Sequence, residues 1–296
     1  MTGGQVRDLN GMARALRIVV VAFHGADDLA TCLAPVSREF PVTVVDNSSD
    51  PAVEGAARGA GARYVNPGRN LGFGAGVNVA LREILDGGPA DVLLLNPDAV
   101  IGAEAVRALA RKLAQPDGVR LGMLSPQLRS PDGRAQRVLW PFPSPGRAWL
   151  EACGLGRLNR ATGFAVGAVL LLRWEALRDI GLFDERFFLY AEETDWQRRA
   201  SARGWRVAVA HGVVADHAGG GTSNDAHRRD ALFHAAGETY IRKWFGRSGW
   251  TIYRAAVLVG ALPRLFIRRG GRRADVVQRA KVYWRGPRRA AGLGAE

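Results

Sequence analysis

Three carboxylates stand within four positions at Glu192-Glu193-Thr194-Asp195, after the apolar run Phe187-Phe188-Leu189-Tyr190 and before Trp196. One carboxylate placed in this way can deprotonate a hydroxyl while its neighbours bind the hydroxyl's owner or set the pKa. Acids in a first helical turn also complement the helix dipole and cap the helix, with no chemistry implied. Asn96-Pro97-Asp98 follows the apolar run Val92–Leu95 and offers one acidic oxygen. Mg2+ or Mn2+ on a diphosphate needs few protein ligands, because phosphate oxygens and waters supply the rest; the same tripeptide also reads as an ordinary strand-to-helix turn. His217, in Val213-Val214-Ala215-Asp216-His217 ahead of Gly219-Gly220-Gly221, can complete the coordination of an ion held by Asp98. A lone histidine is more often structural, and His24, His211, His227 and His234 keep no comparable company.

Two further stretches have the chemistry of a nucleotide site. Asp46 ends Val44-Val45-Asp46-Asn47-Ser48-Ser49-Asp50, where its carboxylate can accept from a base N–H or a ribose hydroxyl, or close an Asx-turn. Gly68 to Asn78 is a glycine-rich entry to a helix, where backbone amides and the helix N-terminus can approach a diphosphate. Gly72, Gly74 and Gly76 do not spell the dinucleotide fingerprint, and no Gly-Lys-Ser/Thr of a P-loop is present. Trp140 and Trp149 lie in a proline-rich stretch, 138–162, that reads as a long loop. Their rings can stack on a sugar face or simply pack.

The elements that position these residues follow from periodicity. Ile18–Phe23, Val42–Val45, Tyr64-Val65 and Val92–Leu95 read as buried strands, with helices from the turn after His24 to Phe40, over Phe73–Leu85 and over Glu104–Leu113. Strands alternating with helices imply right-handed crossovers and a doubly wound, mostly parallel α/β sheet. Ligands of such sheets gather at the carboxyl ends of the strands, where Asp46 and Asp98 both fall. Val166–Trp174 and Val207–Ala210 read as further strands, Glu192–Arg203 as a helix, and a basic segment starts near Ala231.

Composition narrows the class. The 296 residues carry a net charge of +13 and 47% hydrophobic residues, enough for one large domain with an appendage. Cys32 and Cys153 are far apart and form no CxxC pair, as in a reduced compartment. Met1–Arg17 has no signal-peptide core, and Ala255–Leu262 is too short to span a bilayer, so a cytoplasmic protein is expected. From Arg242 to Arg289 basic residues recur, interleaved with Trp244, Phe245, Trp250, Tyr253, Leu258, Leu262, Leu265 and Phe266. That mixture favours an amphipathic segment on an anionic membrane surface over nucleic-acid contact or a solvated tail.

Taken in order, Val-Val-Asp-Asn-Ser-Ser, Asn-Leu-Gly-Phe-Gly-Ala-Gly-Val-Asn, Leu-Leu-Asn-Pro-Asp, Phe-Phe-Leu-Tyr-Ala-Glu-Glu-Thr-Asp-Trp and Ala-Asp-His closely resemble the family 2 glycosyltransferases. Within that family the chain is similar to the bacterial rhamnosyltransferase-like branch, from about Arg17 to about Phe245. The resemblance implies a GT-A fold with a Rossmann-like sheet over 17–245, between an N-terminal tail (1–16) and a basic helical segment (246–296). It implies an inverting transferase whose nucleotide-sugar site includes Phe23, Asp46, Arg69, Asn70, Gly72, Gly76, Asn96 and Asp98. Asp98 and His217 would hold Mg2+ or Mn2+. Glu193 would be the base, with Glu192 and Asp195 as alternatives, and Trp140, Trp149, Glu192 and Trp196 would face the acceptor. The donor implied is dTDP-L-rhamnose first, another dTDP- or UDP-sugar second. The acceptor implied is a polyprenyl-diphosphate-linked or cell-envelope glycan, met at the inner face of the cell membrane. This chain has one carboxylate in Asn96-Pro97-Asp98 where the family's motif commonly has two, and Glu192-Glu193 where a Glu-Asp pair is common.

Two other functions compete. A nucleotidyltransferase would want a basic glycine-rich loop after the first strand, whereas Phe23–Asp28 is acidic. A non-catalytic binder of nucleic acid or anionic lipid gains nothing from carboxylates in its cleft.

Overall fold

The computed structural model describes residues 6–7, 13–115, 120–156, 163–219, 226–267 and 270–293. Its first elements are β1 (Val6–Arg7), β2 (Ala13–Ala22), α1 (Ala26–Leu33), β3 (Val42–Asp46), α2 (Pro51–Gly59), β4 (Arg63–Val65), α3 (Phe73–Asp86), β5 (Ala90–Leu95), β6 (Ala99–Val100) and α4 (Ala103–Ala114). There follow β7 (Leu121–Arg129), β8 (Ala135–Gln136), β9 (Leu139–Trp140), α5 (Pro145–Ala152), β10 (Phe164–Ala165), β11 (Val169–Leu172) and α6 (Trp174–Ile180). The chain ends with α7 (Glu192–Ala202), β12 (Arg206–His217), α8 (Ala226–Ile267), α9 (Gly271–Arg285) and α10 (Pro287–Ala290). Two compact units result, one of Met1–Trp140, Gly163–Glu185 and Glu192–Asn224, the other of Pro141–Thr162, Arg186–Ala191 and Asp225–Glu296.

The first unit is the sheet. Its strands run in the order β4-β3-β2-β5-β11-β7-β12-β6, with β1 on β2 and β8 on β7. Pairing is parallel from β4 through β3 and β2 to β5, and again between β7 and β12, while β11 runs antiparallel between β5 and β7. Ile18, Val20, Val44, Val92, Leu93 and Leu171 have no exposed surface or almost none, which is why these strands are apolar on both faces. From β2 the chain steps outward to β3 and β4, then returns to the other side of β2 as β5. That reversal opens a crevice at the carboxyl ends of β2 and β5, occupied by Phe23-His24 and Asn96-Pro97-Asp98.

Two local devices aim the later strands at this crevice. In β12 the pairing with β7 shifts between Ala210 and Val214, with Gly212 at φ 79° and its N–H donated to Gln127 Oε1 at 2.9 Å. Such a bulge redirects a strand, and here the end of β12 continues to Asp216 and His217 opposite β6. Helix α3 is drawn close to the sheet by Gly76, where a Cβ would lie 2.9 Å from Val21 Cγ1 and 3.3 Å from Asn47 Nδ2. The buried Asn78 then clamps the next segment: its Nδ2 donates to Phe183 O and its Oδ1 accepts from Phe183 N, each at 2.9 Å.

The second unit is helical. Helix α8 is broken at Gly246 (φ 69°, ψ −168°), and Phe187, Tyr240, Ile241, Trp250 and Tyr283 form its core. Helix α5 lies against α8 where Gly260 leaves room: a Cβ there would stand 3.0 Å from Ala152 Cα, and Arg264 Nη2 donates to Glu151 O at 2.7 Å.

Several expectations change. Strand β2 begins at Ala13, inside the expected tail, because Ala15 and Leu16 already pair with β5; Met1–Gln5 and Asp8–Met12 lie outside the described residues. The stretch 138–162 is not a loop throughout. It holds β9, which pairs with β10, and helix α5, capped by Ser144 Oγ accepting from Arg147 N, while 157–162 lie outside the described residues. The compact units divide near Asp225 and exchange two internal stretches, whereas the sequence reading placed the boundary after residue 245. Glycine to alanine inside a helix normally gains up to about 1 kcal/mol, but forcing a methyl against a stiff valine costs about 1–3 kcal/mol. Gly76→Ala should therefore lower stability by about 1 kcal/mol or more in urea unfolding; an unchanged or raised midpoint would show that the contact with Val21 is slack.

Candidate active site

The ends of β5, β11 and β12 and the head of α7 converge. Asn96 N donates to Ala168 O at 2.9 Å, and the neighbouring Gly167 leaves room for Glu193, whose Cδ stands 3.6 Å from where a Cβ of that glycine would be. On the other side, His217 pairs in register with Ala99, and Ala218 N donates to Asp98 O at 3.0 Å. The expected pair thereby meets, with His217 Nε2 at 3.6 Å from Asp98 Oδ2 and both side chains mostly covered.

The histidine is held by a residue that the sequence reading passed over. Gln136 Nε2 donates to His217 O and to Ser130 Oγ, both at 2.9 Å, so its Oε1 is the atom 2.9 Å from His217 Nδ1. A carbonyl oxygen only accepts, hence Nδ1 carries a proton, and Nε2 is the nitrogen that faces Asp98. A side-chain partner that fixes the tautomer of a ligating histidine is the usual companion of a metal site. Only its place on β8, antiparallel to β7 and two strands from Asp98, reveals Gln136, and no local motif marks it.

Among the described residues of the sheet unit, three buried side-chain oxygens lack a hydrogen-bond partner: Asn96 Oδ1, Glu192 Oε2 and Glu193 Oε2. Such orphans are rare in folded proteins and mark places where a ligand or ion completes the set. All three belong to the two acidic motifs. An Asp98 carboxylate, a neutral imidazole nitrogen and an amide oxygen suit a hard divalent cation that draws its other ligands from a diphosphate and water. No group of three or more His, Cys, Asp or Glu able to hold a metal exists among the described residues.

The acid cluster divides sharply. Asp195 is fully buried and pairs with Arg199 Nε at 3.0 Å, while Arg199 also donates to Ile180 O and Leu182 O. That is a structural tie, so the place given to Asp195 among the catalytic acids is corrected. Trp196 is fully buried as well, with Nε1 donating to Gly181 O at 2.8 Å and its ring stacked near Phe183, so it faces no acceptor. Glu192 is buried against Gly74, where a Cβ would meet its Cβ at 3.2 Å; Glu193 is half-buried with Oε2 enclosed. Burial pushes the Glu192 carboxyl well above the ordinary carboxylate range, and the charge of Glu193 adds to this. Burial raises Glu193 to about 7, against the backbone amides of the helix start that favour its charged form. Tyr190 (φ 69°) and Ala191 (φ 65°) enter α7 in the left-handed region, a costly conformation for non-glycine residues that clusters at functional sites.

At the other edge of the crevice the nucleotide motifs are partly structural. Asp46 is fully buried, and its carboxylate accepts from Ser48 N, Ser48 Oγ, Asp50 N and Tyr64 OH, which fills both oxygens. Asn70 is exposed, with Oδ1 accepting from Gly72 N at 2.9 Å, and Arg69 is exposed beside it. Gly72 takes φ 81° at the start of α3, whereas Gly76 is buried against Val21; Gly76 serves packing and offers no approach to a phosphate. Phe23 is 36% exposed and meets the His24 ring edge-on. His24, set aside in the sequence as keeping no company, has Nδ1 3.0 Å from Asp50 Oδ2, which draws the Asp50 carboxyl below its ordinary range. Trp140 is 41% exposed, with Arg137 over its ring at 4.1 Å; Trp149 is half-buried on α5 of the helical unit.

Solved structures that share this fold are glycosyltransferases of the GT-A type. A mannosyltransferase from Pyrobaculum calidifontis, in complex with GDP-Man and Mn2+, matches with a TM-score of 0.59 and 15% identity over 99% of this chain and 87% of that one. Glucosyl-3-phosphoglycerate synthase from Mycobacterium tuberculosis matches with a TM-score of 0.54 and 17% identity over 78% of this chain and 80% of that one. A family model, glycosyl transferase family group 2, matches residues 92–267. An N-acetylglucosaminyl-diphospho-decaprenol L-rhamnosyltransferase of Mycobacterium tuberculosis is 31% identical over 275 residues, covering 81% of this chain and 87% of that protein. The chain belongs to the family group 2 glycosyltransferases. It is therefore an enzyme, and the nucleotidyltransferase and the non-catalytic binder fall away.

Burial keeps the Glu193 proton up to about pH 7, whereas the unfolded chain releases it near the ordinary 4.5. A group raised in the folded state contributes its full stability below the unfolded value and loses it as pH rises through the folded one. Glu193→Gln, neutral and nearly isosteric, should therefore melt later than wild type at pH 8, by on the order of 2 kcal/mol, with the gap closing near pH 4.5. Gln136→Leu should weaken Mn2+ binding in the presence of UDP by tenfold or more, read from the free-ion electron-spin signal. Gln136→Glu keeps an acceptor for Nδ1–H but loses the donations to His217 O and Ser130 Oγ, so it should bind more tightly than Gln136→Leu and less tightly than wild type.

Proposed function

We propose that this chain is an inverting, divalent-cation-dependent transferase that moves a sugar from a nucleotide diphosphate to a polyprenyl-diphosphate-linked glycan. The carrying observation is the enclosed, unpaired Oε2 of Glu193, one residue of backbone away from the Asn96-Pro97-Asp98 turn across Gly167-Ala168. L-Rhamnose from dTDP-rhamnose is the first choice, supported by the rhamnosyltransferase relative, and another dTDP- or UDP-hexose is the second. The acceptor chemistry is taken from the same relative's name, and it supports a peripheral protein at the inner face of the cell membrane. No helix among the described residues is long and apolar enough to cross a membrane.

In this reading Glu193 accepts the acceptor hydroxyl proton as the acceptor oxygen forms its bond to the anomeric carbon and the bond to the diphosphate breaks. A pKa of about 7 lets the carboxylate be ionised at working pH and still basic enough to take the proton. Glu192, enclosed behind it and held neutral by burial, keeps a second negative charge out of the pocket. Asp98 and His217 Nε2, with Asn96 Oδ1 in reach of the same turn, would hold Mg2+ or Mn2+. The cation, when bound, offsets the charge that grows on the departing diphosphate. Phe23 offers a ring face for the base at the end of β2, and Arg69 a cation for the phosphates. Trp140 is the exposed aromatic left for the sugar acceptor.

A panel of nucleotide sugars with and without Mn2+ tests this. One donor should raise the melting temperature in a Mn2+-dependent manner, and Asp98→Ala should lose that shift. Glu193→Gln should retain donor binding while transfer falls by about 100- to 10,000-fold. The acid limb of kcat/KM should lie near pH 7 in wild type. Transfer that survives in Glu193→Gln and disappears in Glu192→Gln would move the base to Glu192.

A further inference from the structure

Helix α8 beyond its break at Gly246 has two apolar faces. Trp250, Ala256 and Ala261 are buried inside the helical unit. Facing away from Trp250 and Ala261, Ile252 is 48% exposed, Val259 46%, Leu262 57% and Phe266 87%. At about 100° per residue, Ile252, Ala255, Val259, Leu262, Pro263 and Phe266 lie within an arc of roughly 100°, and between Ile252 and Phe266 no polar residue falls inside it. Of the apolar residues singled out in the sequence, Leu262 and Phe266 belong to this exposed set, whereas Trp244, Phe245, Trp250, Tyr253 and Leu258 pack into the core of the unit.

The same unit is strongly cationic. From residue 239 to 295 the sequence holds fourteen Arg and Lys against Asp275 as the sole acid. Arg247, Arg273, Arg279, Lys281, Arg285 and Arg289 are exposed. Nucleic acid would use these cations and leave the stripe in water. A second copy would cover the stripe but set one +13 chain against another. An anionic bilayer satisfies both features, since apolar side chains enter the acyl boundary while guanidinium groups meet lipid phosphate.

We propose that α8 beyond Gly246 lies in the plane of an anionic phospholipid surface, with Ile252, Val259, Leu262 and Phe266 inserted. This rests on the membrane-surface part of the proposed function and specifies which face meets the lipid. The test is flotation of the full-length protein with phosphatidylcholine vesicles with and without about 30% phosphatidylglycerol, repeated in high salt. Wild type should float with the anionic vesicles, and salt or removal of the anionic lipid should weaken this. The pair Leu262→Asp/Phe266→Asp should bind at least tenfold more weakly at an unchanged melting temperature. Leu155→Asp, an exposed apolar position outside the stripe, should float like wild type.

Wild type that stays unbound, or a double variant that floats as well as wild type, overturns the proposal. A wild type that is dimeric by light scattering and becomes monomeric in the double variant also overturns it, because a second copy then covers the stripe. Nucleotide-sugar binding measured on the same preparations separates the two readings. Donor binding without flotation removes this surface alone, and flotation without donor binding removes the transferase reading alone.

Discussion

Two neighbouring carboxyls enclosed at the head of one helix have lost most of their water and repel each other, so the fold must hold α7 firmly enough to keep them there. Glu192 and Glu193 sit in space left by Gly74 and Gly167, and almost every polar bond nearby serves to anchor their helix. Gln197 exchanges two hydrogen bonds with the backbone of Ala165, Trp196 hangs from Gly181 O, and Asp195 holds Arg199 across to Ile180 and Leu182. Asn78 ties the segment before it to α3. Desolvation is thus offset by the hydrogen bonds that surround the pair, and among the described residues of α7 the buried side-chain atoms left without a partner are Glu192 Oε2 and Glu193 Oε2.

The sheet and its loaded edge were legible because a buried parallel strand is apolar throughout and because polar residues at its carboxyl end stand out. Asp98, His217 and the acid cluster were found in that way. What sequence could not separate was the duty of residues within α7, where side chains one turn apart face opposite environments. Arg199, four residues after Asp195, was the available sign that this acid was already paired. Trp196 read as an acceptor platform because aromatic character is the same whether a ring is buried or bare. Gly76 read as an approach for phosphate because a missing side chain does not say what fills its place. Gln136 was invisible for another reason: it acts through His217 on a different strand, and only the pairing register brings the two together; His24 was passed by because its partner, Asp50 at the head of α2, is 26 residues away in sequence.

The helical unit shows a similar ambiguity resolved in the opposite direction. An alternation of Arg with large apolar residues signals an amphipathic segment but does not say which apolar residues are left outside. Here the aromatic ones supply a core of their own, with Trp250, Tyr253 and Tyr283 in mutual contact, and aliphatic residues with Phe266 remain on the surface.

Beneath the Asn96-Pro97-Asp98 turn lies Cys32, wholly buried, its Sγ 3.5 Å from Asn96 O. Burial, with the Asp98 charge nearby, pushes its thiol up to about 12, so it is inert toward electrophiles while the turn is closed. Cys153, by contrast, is exposed. The two cysteines are therefore unlike as chemical handles: a thiol reagent meets Cys153 on the folded surface, and reaction at Cys32 requires the packing around it to open.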